Sequence, residues 1–279
     1  MAKGFIDGFD QVVDDALFWL SDHAAFIFDG IRAGLDAFYG AVLAAVSLPP
    51  AWAVAVAVGL IGWWAAGRAL GVMALAGLLL CWGIGLWPET MDTLALVISA
   101  VAVALVLGLP LGVLEGYMTG LDRLIEPVLD LVQTLPPYIY LLPAIALLGF
   151  GSATALVATI IVAMPPVIRL TALGIRQVPG NFIELGAASG VTGWQMFTKI
   201  RLPFALPSIM AGINQGLMMA FGMVVIAGIV GAGGLGRTIY EAIRTLDIAR
   251  SVDAAIAIVV LTMIIDRITQ SLVPAQEKN

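Results

Sequence analysis

The sequence predicts an all-α integral membrane protein with about seven transmembrane helices, preceded by amphipathic N-terminal helices. Three observations carry this. Of 279 residues, 61% are hydrophobic and only 11% charged, with a mean hydropathy of +1.03, far from a soluble domain's make-up. Apolar runs recur at the roughly 20-residue length that crosses a bilayer. Backbone polar groups in lipid must be satisfied within the segment itself, so these runs are helices. The same composition leaves no room for a large soluble catalytic domain. Cys81 is the single cysteine and His23 the single histidine, so no disulfide, metal cluster or histidine-based catalytic centre is expected within the chain.

Residues 1–48 form the amphipathic, interfacial region. Lys3 is followed at once by Asp7, Asp10, Asp14 and Asp15, which argues against a cleavable leader. Phe5, Phe9, Val12, Val13, Leu17 and Leu20 recur at helical spacing with the aspartates on the other face. A second pattern runs from Ala24 to Val46, its polar stripe marked by Asp29, Arg32 and Asp36. Those charges favour helices lying at the interface, packed against the outer rim of the spans or offering an acidic docking surface. Residues 49–90 hold two peripheral spans, Ala51 to Ala66 and Ala69 to Trp87. Five more come within residues 91–272: Thr93 to Tyr117, Val128 to Leu148, Ala153 to Leu173, Phe204 to Val230 and Ala254 to Leu272. Residues 273–279 are a short tail. Trp52, Trp63, Trp64 and Trp87 cluster at span ends, as interface-anchoring aromatics do. Gly108, Gly112 and Gly116, Gly67 and Gly71, and Gly212 and Gly216 have the spacing that lets helices approach closely within a bundle.

Between the fifth and sixth of these spans lies the one polar, capped stretch, Asn181 to Pro203. Asn181 followed by Glu184 reads as an N-cap supported from the third helical position. Gly190 suits the left-handed conformation that ends a helix. Thr192 and Gln195 form a second capping box, and Pro203 is expected to stop the helix that this box begins. The pattern is two short helices meeting in a stiff elbow. With the elbow inside, Arg68, Arg123, Arg169, Arg176, Lys199, Arg201, Arg267 and Lys278 fall inside, eight of the thirteen basic residues. Twelve of the nineteen acids fall outside. Basic residues favour the cytoplasm, which puts the N-terminus outside and the C-terminus in the cytoplasm.

Glu184, Gly190, Ile200, Leu202 and Pro203 match the spacing of the EAA loop, E-A-A-x3-G-x9-I-x-L-P, of the membrane subunits of bacterial ABC importers. QTLPPYIYLLP from Gln133, MPPVIRLTALGIRQVP from Met164, LPSIMAGINQ from Leu206, MVVIAGIVGAGGLG from Met223 and DRITQ from Asp266 resemble the ProW-type permease family, which imports glycine betaine and related osmoprotectants. The resemblance covers roughly residues 50 to 272. Leu185-Gly186 stands where the loop has two alanines, a departure expected to loosen that turn of helix.

The resemblance implies a type I ABC importer (MetI-like) permease core in a bacterial inner membrane. It implies a second copy of the chain, a cytoplasmic ABC ATPase dimer and a periplasmic substrate-binding protein as partners. ATP and magnesium would belong to the ATPase, with no cofactor, metal or catalytic residue in this chain and no nucleic-acid partner. Glu184 and Gly190 would be the structural keys of the loop. Ala187, Ala188, Ser189, Val191 and Trp194 would form the surface seated on the ATPase. Choline, carnitine, trimethylamine N-oxide or an amino acid are the alternative cargoes.

Gln133, Thr134, Tyr138 and Tyr140 bracket a double proline, and Asn214, Gln215, Met218, Met219, Phe221 and Met223 occupy the sixth span; these are the candidate cargo path. Aromatic faces attract quaternary cations, and polarizable thioethers tolerate their passage. Gly231, Gly233, Gly234 and Gly236 fit a G-x-G-x-x-G spacing, but a nucleotide loop needs a preceding strand, and here a membrane helix precedes it. The resemblance implies instead an external turn between the sixth and seventh spans. An ion-coupled carrier is the competing class. It is disfavoured because Glu115, Asp130 and Asp266 fall near span ends and no acid sits at a span centre.

Overall fold

The structure, a computed structural model, describes residues 22–118 and 120–272 and, before them, residues 12, 15, 19 and 20. The pattern read over Phe5, Phe9, Val13 and Leu17 lies outside the described residues, as does the tail 273–279. The described elements are all helical. Helix α1 (Ala25–Ser47) carries the Asp29, Arg32 and Asp36 stripe. It meets α2 (Ala51–Ala66) at 92°, across the Pro49-Pro50 pair. α3 (Arg68–Gly83) returns beside α2. The long helix α4 (Trp87–Tyr117) comes next.

The span expected over Val128 to Leu148 is not one helix. Amphipathic α5 (Asp122–Thr134) ends where Leu135 turns extended before Pro136. A 3-10 turn, Pro137–Tyr140, and α6 (Leu141–Leu148) then leave at 106°. Two consecutive prolines explain the break, because each removes a donor and disfavours a helical residue before it. α7 (Ser152–Arg176) runs to the elbow, built from α8 (Gly180–Ala188), α9 (Gly193–Met196) and a π turn, Phe197–Arg201. α10 (Leu202–Ala227) continues directly from the π turn. A 3-10 turn, Gly228–Val230, precedes α11 (Gly234–Thr245), and α12 (Ile248–Ser271) completes the chain.

Two sequence expectations change. Pro203 stops nothing: it is the second residue of α10, directly after the π turn, and the Gly193–Val230 segment runs on as one span of 38 residues. Four helices are long and apolar enough to cross a membrane, or up to six spans if each bent pair is one, against about seven expected. At 16 residues each, α2 and α3 are about 24 Å long, short of a roughly 30 Å hydrocarbon core.

α4, α7 and α10 pack into one body through small residues. Gly108, Gly112 and Gly116 of α4 face α7; a β-carbon at Gly112 would stand 2.6 Å from the Ile168 carbonyl oxygen. Gly212 and Gly216 of α10 do the same against Pro166 and Ala163. Such contacts hold helices together by close backbone approach, which apolar surroundings cannot do by hydrophobicity alone. The elbow caps one end of this body. At the other, Asp36 of α1 accepts from Ser152 Oγ at 2.7 Å and Ala153 N at 3.0 Å, capping α7. Arg250 of α12 lies 4.0 Å from Glu89 of α4 at that same end.

Candidate functional site

The elbow closes on local hydrogen bonds. α8 ends in a Schellman turn: Val191 N donates to Gly186 O at 3.2 Å, and Gly190 N to Ala187 O at 3.1 Å. Gly190 sits at φ +71°, a conformation that costs a side-chain-bearing residue about 1–2 kcal/mol. The capping box after it is complete. Gln195 N donates to Thr192 Oγ1 at 3.3 Å and Thr192 N to Gln195 Oε1 at 2.9 Å.

The start of the elbow differs from expectation. Pro179, extended at ψ 134°, occupies the N-cap of α8, and Asn181 lies inside the first turn without capping it. The preset proline backbone delivers the chain into the helix two residues earlier than a cap at Asn181 would. The Leu185-Gly186 departure does not open the turn either. Gly186 is buried, and a β-carbon there would meet Ile200 Cδ1 at 2.6 Å and Met196 Cε at 2.9 Å. The missing methyl brings α8 onto the π turn.

Aromatic contacts fix the elbow to the bundle. Phe182 of α8 packs against Phe204 of α10 with ring centres 4.8 Å apart and planes tilted by 50°, and Phe197 packs between Trp194 and Tyr117 at 5.9 and 6.3 Å. The Arg201 guanidinium lies 4.3 Å from the Tyr117 ring centre. Pointing outward are Glu184, Ala187, Ala188, Ser189 and Gly190, with Val191 half-buried. Leu185 and Trp194 are 64% and 73% exposed. Both lie on the outer face of the elbow, away from the bundle.

Behind the elbow is a polar network that sequence reasoning missed. Arg176, the last residue of α7, donates to the Glu115 carbonyl at 2.9 Å and its carboxylate at 3.2 Å, and lies 3.7 Å from Asp122. Glu115 is 1% exposed. Two turns earlier, Arg169 reaches Glu126 at 2.9 Å, Gln133 at 2.5 Å and Asp130. The Asp122-Glu126-Asp130 spacing on one helical face was the available signal.

The candidate path residues fall into two groups. Gln133, Thr134, Tyr138 and Tyr140 surround the break after α5; Thr134 Oγ1 donates to Asp130 O at 2.8 Å and Tyr140 Oη to Val132 O at 2.5 Å. The Pro137–Tyr140 turn packs on α10, which brings the second group near. There Asn214 Nδ2 donates to Asp266 Oδ1 at 3.0 Å, while its own Oδ1 is buried without a partner. Gln215 and Met219 are exposed and Met218 is half-buried. Phe221 and Met223 lie in the core, 4% and 1% exposed, on opposite sides of α10, which is packed all round at this level; neither is open to a path in this conformation. Among the described residues no group of three or more His, Cys, Asp or Glu side chains is placed to hold a metal ion.

Residues 104–278 match the family described as "Binding-protein-dependent transport system inner membrane component". The chain is 40% identical to the glycine betaine transport system permease protein OpuAB of Bacillus subtilis, over 94% of this chain and 93% of that one. It is 39% identical to the glycine betaine/proline betaine permease ProW of Escherichia coli, over 94% of this chain and 74% of that one. Among solved structures it resembles a chain of the MetNI methionine ABC transporter in an inward-facing form. That likeness has TM-score 0.61 and 25% identity, over 68% of this chain and 95% of that one.

Proposed function

Because the chain belongs to the family of binding-protein-dependent transport system inner membrane components, we propose that it is the permease subunit of an ATP-driven importer of glycine betaine-like quaternary amines, worked through its elbow by a separate ATPase. The cargo class is supported by relatives named for glycine betaine and proline betaine at about 40% identity. A relative named for trimethylamine N-oxide, 35% identical over 71% of this chain, keeps that solute in the same chemical class.

The observation that carries the coupling role is the elbow itself. A Schellman turn and a capping box make it stiff, aromatic contacts join it to α4 and α10, and its outer face offers Trp194 and Leu185 to a partner. In this reading two copies form the translocation path, an ATPase pair seats on the two elbows in the cytoplasm, and a periplasmic receptor delivers cargo at the opposite end, near α1. ATP and magnesium stay with the ATPase. Glu184, Ala187, Ala188, Ser189, Gly190, Val191 and Trp194 form the seat. Gln133, Thr134, Tyr138, Tyr140, Asn214, Gln215, Met218 and Met219 border the path, with Phe221 and Met223 backing it from the core. Closure of the ATPase pair on nucleotide moves the elbows as rigid bodies and exchanges inward- and outward-open states.

The test uses the full assembly in proteoliposomes. Glu184 is exposed and is paired with no basic side chain among the described residues, so Glu184→Lys spares the fold while reversing charge on the seat. Uptake driven by ATP is expected to fall at least about tenfold with the protein still in the membrane. Normal uptake by this variant removes Glu184 from the seat. Ligand binding by the receptor encoded alongside decides the cargo.

A further inference from the structure

α5 is attached to the rest of the chain through charge rather than packing. Of its 13 residues only Leu129 is buried, while Leu124, Val128 and Leu131 are exposed. Two guanidiniums of α7 hold it: Arg176 lies 3.7 Å from Asp122 at its start, and Arg169 makes the denser set of contacts further along. Arg169 Nε donates to Glu126 Oε2 at 2.9 Å and Nη2 reaches the same oxygen at 2.8 Å; Nη2 also reaches Asp130, and Nη1 donates to Gln133 at 2.5 Å. Glu126, Asp130 and Gln133 recur at i, i+4 and i+7, so they share one face. All three nitrogens of a planar fork engage that face, an arrangement a lysine ammonium cannot reproduce. Arg169 is itself 27% exposed, so the network is partly withdrawn from screening water.

α7, which carries Arg169, is clamped between α4 and α10 by its glycine contacts. It runs through Gln177 to Pro179 into the elbow. Elbow and α7 are therefore one body, and α5 moves with it only as far as its polar ties pull. Beyond Gln133 and Thr134 the chain breaks at Pro136, turns by 106°, and continues through Tyr138 and Tyr140.

We propose that Arg169 is the positioning residue that carries elbow movement to the Gln133–Tyr140 segment, by making α5 travel with α7. The proposal rests on the coupling role given to the elbow above. It touches neither the ATPase seat nor cargo: its effect is on how far each ATP turnover moves the path.

The experiment reconstitutes the chain with its ATPase and receptor and compares Arg169→Gln, Arg169→Lys and the swap Arg169→Glu with Glu126→Arg. Two quantities are read: capture of the ATPase by the tagged chain, and cargo imported per ATP hydrolysed. Arg169→Gln is expected to capture the ATPase as the unmodified chain does but to import about tenfold less per ATP. Arg169→Lys should be intermediate, and the swap should recover part of the loss. A residue that only stabilised the fold would lower the amount of complex and leave import per ATP unchanged, and that result overturns the proposal. If Arg169→Gln does not assemble, Asp130→Asn tests the clasp from its exposed side, with the same two outcomes. Failure of the unmodified chain to capture an ATPase sinks the coupling reading instead, and is told apart by appearing without any substitution.

Discussion

At Gly236 the Val224 carbonyl oxygen lies 2.1 Å from where a β-carbon would stand, and a β-carbon on Gly228 would meet the Gly236 carbonyl carbon at 2.2 Å. Of the glycines that mimic a nucleotide loop, Gly236 is thus spent on backbone approach between the end of α10 and the start of α11, while Gly231, Gly233 and Gly234 hold positive φ in the turn before it. Backbone atoms cannot rotate away as a side chain can, so Gly236→Ala should destabilise by about 3 kcal/mol or more. A thermal-stability scan in detergent, with size exclusion afterwards, should show lost folded protein; a normal profile would show that the two backbones can part to admit a methyl group. Gly190, Thr192 and Gln195 were readable from sequence because their partners lie within five residues. Arg169 was not, because its partners lie 36 to 43 positions away.

Helix α11 shows where reading by element falls short. The glycine run from Gly231 to Gly236 is expected to be a turn, and Arg237, Glu241 and Arg244 interrupt the apolar pattern after it. Yet Leu235, Thr238 and Ala242 supply a buried stripe, and Arg237 pairs with Glu241 at 2.7 Å along the exposed side. The helix is further held at its start by Thr93, whose Oγ1 accepts from Leu235 N at 2.8 Å. α1 repeats the lesson from the other side. Its polar stripe was legible, but that Asp36 caps α7, more than a hundred residues away, was not. Removing that cap with Asp36→Ala should cost about 1 kcal/mol. Hydrogen exchange at the Ser152 to Ala155 amides should quicken before the rest of α7 does; unchanged protection there would assign the cap's role to other contacts.

The molecule as a whole is an all-α membrane protein with the type I importer permease core. Its sidedness rests on the elbow reading and can be tested directly, since the single native cysteine is buried. Ser189→Cys should react with an impermeant maleimide only from the cytoplasmic face, and Ser47→Cys only from outside. The reverse pattern would invert the topology and with it the proposed coupling. Apolar runs of about 20 residues settled the helical membrane class, since a barrel strand crosses in about half that length, and the capped elbow announced itself because caps and turns are local chemistry. Only the folded chain decided that α5 breaks from α6 and that Arg169 and Arg176 join α5 to α7. Those outcomes depend on contacts between residues far apart in sequence, where packing overrides local pattern.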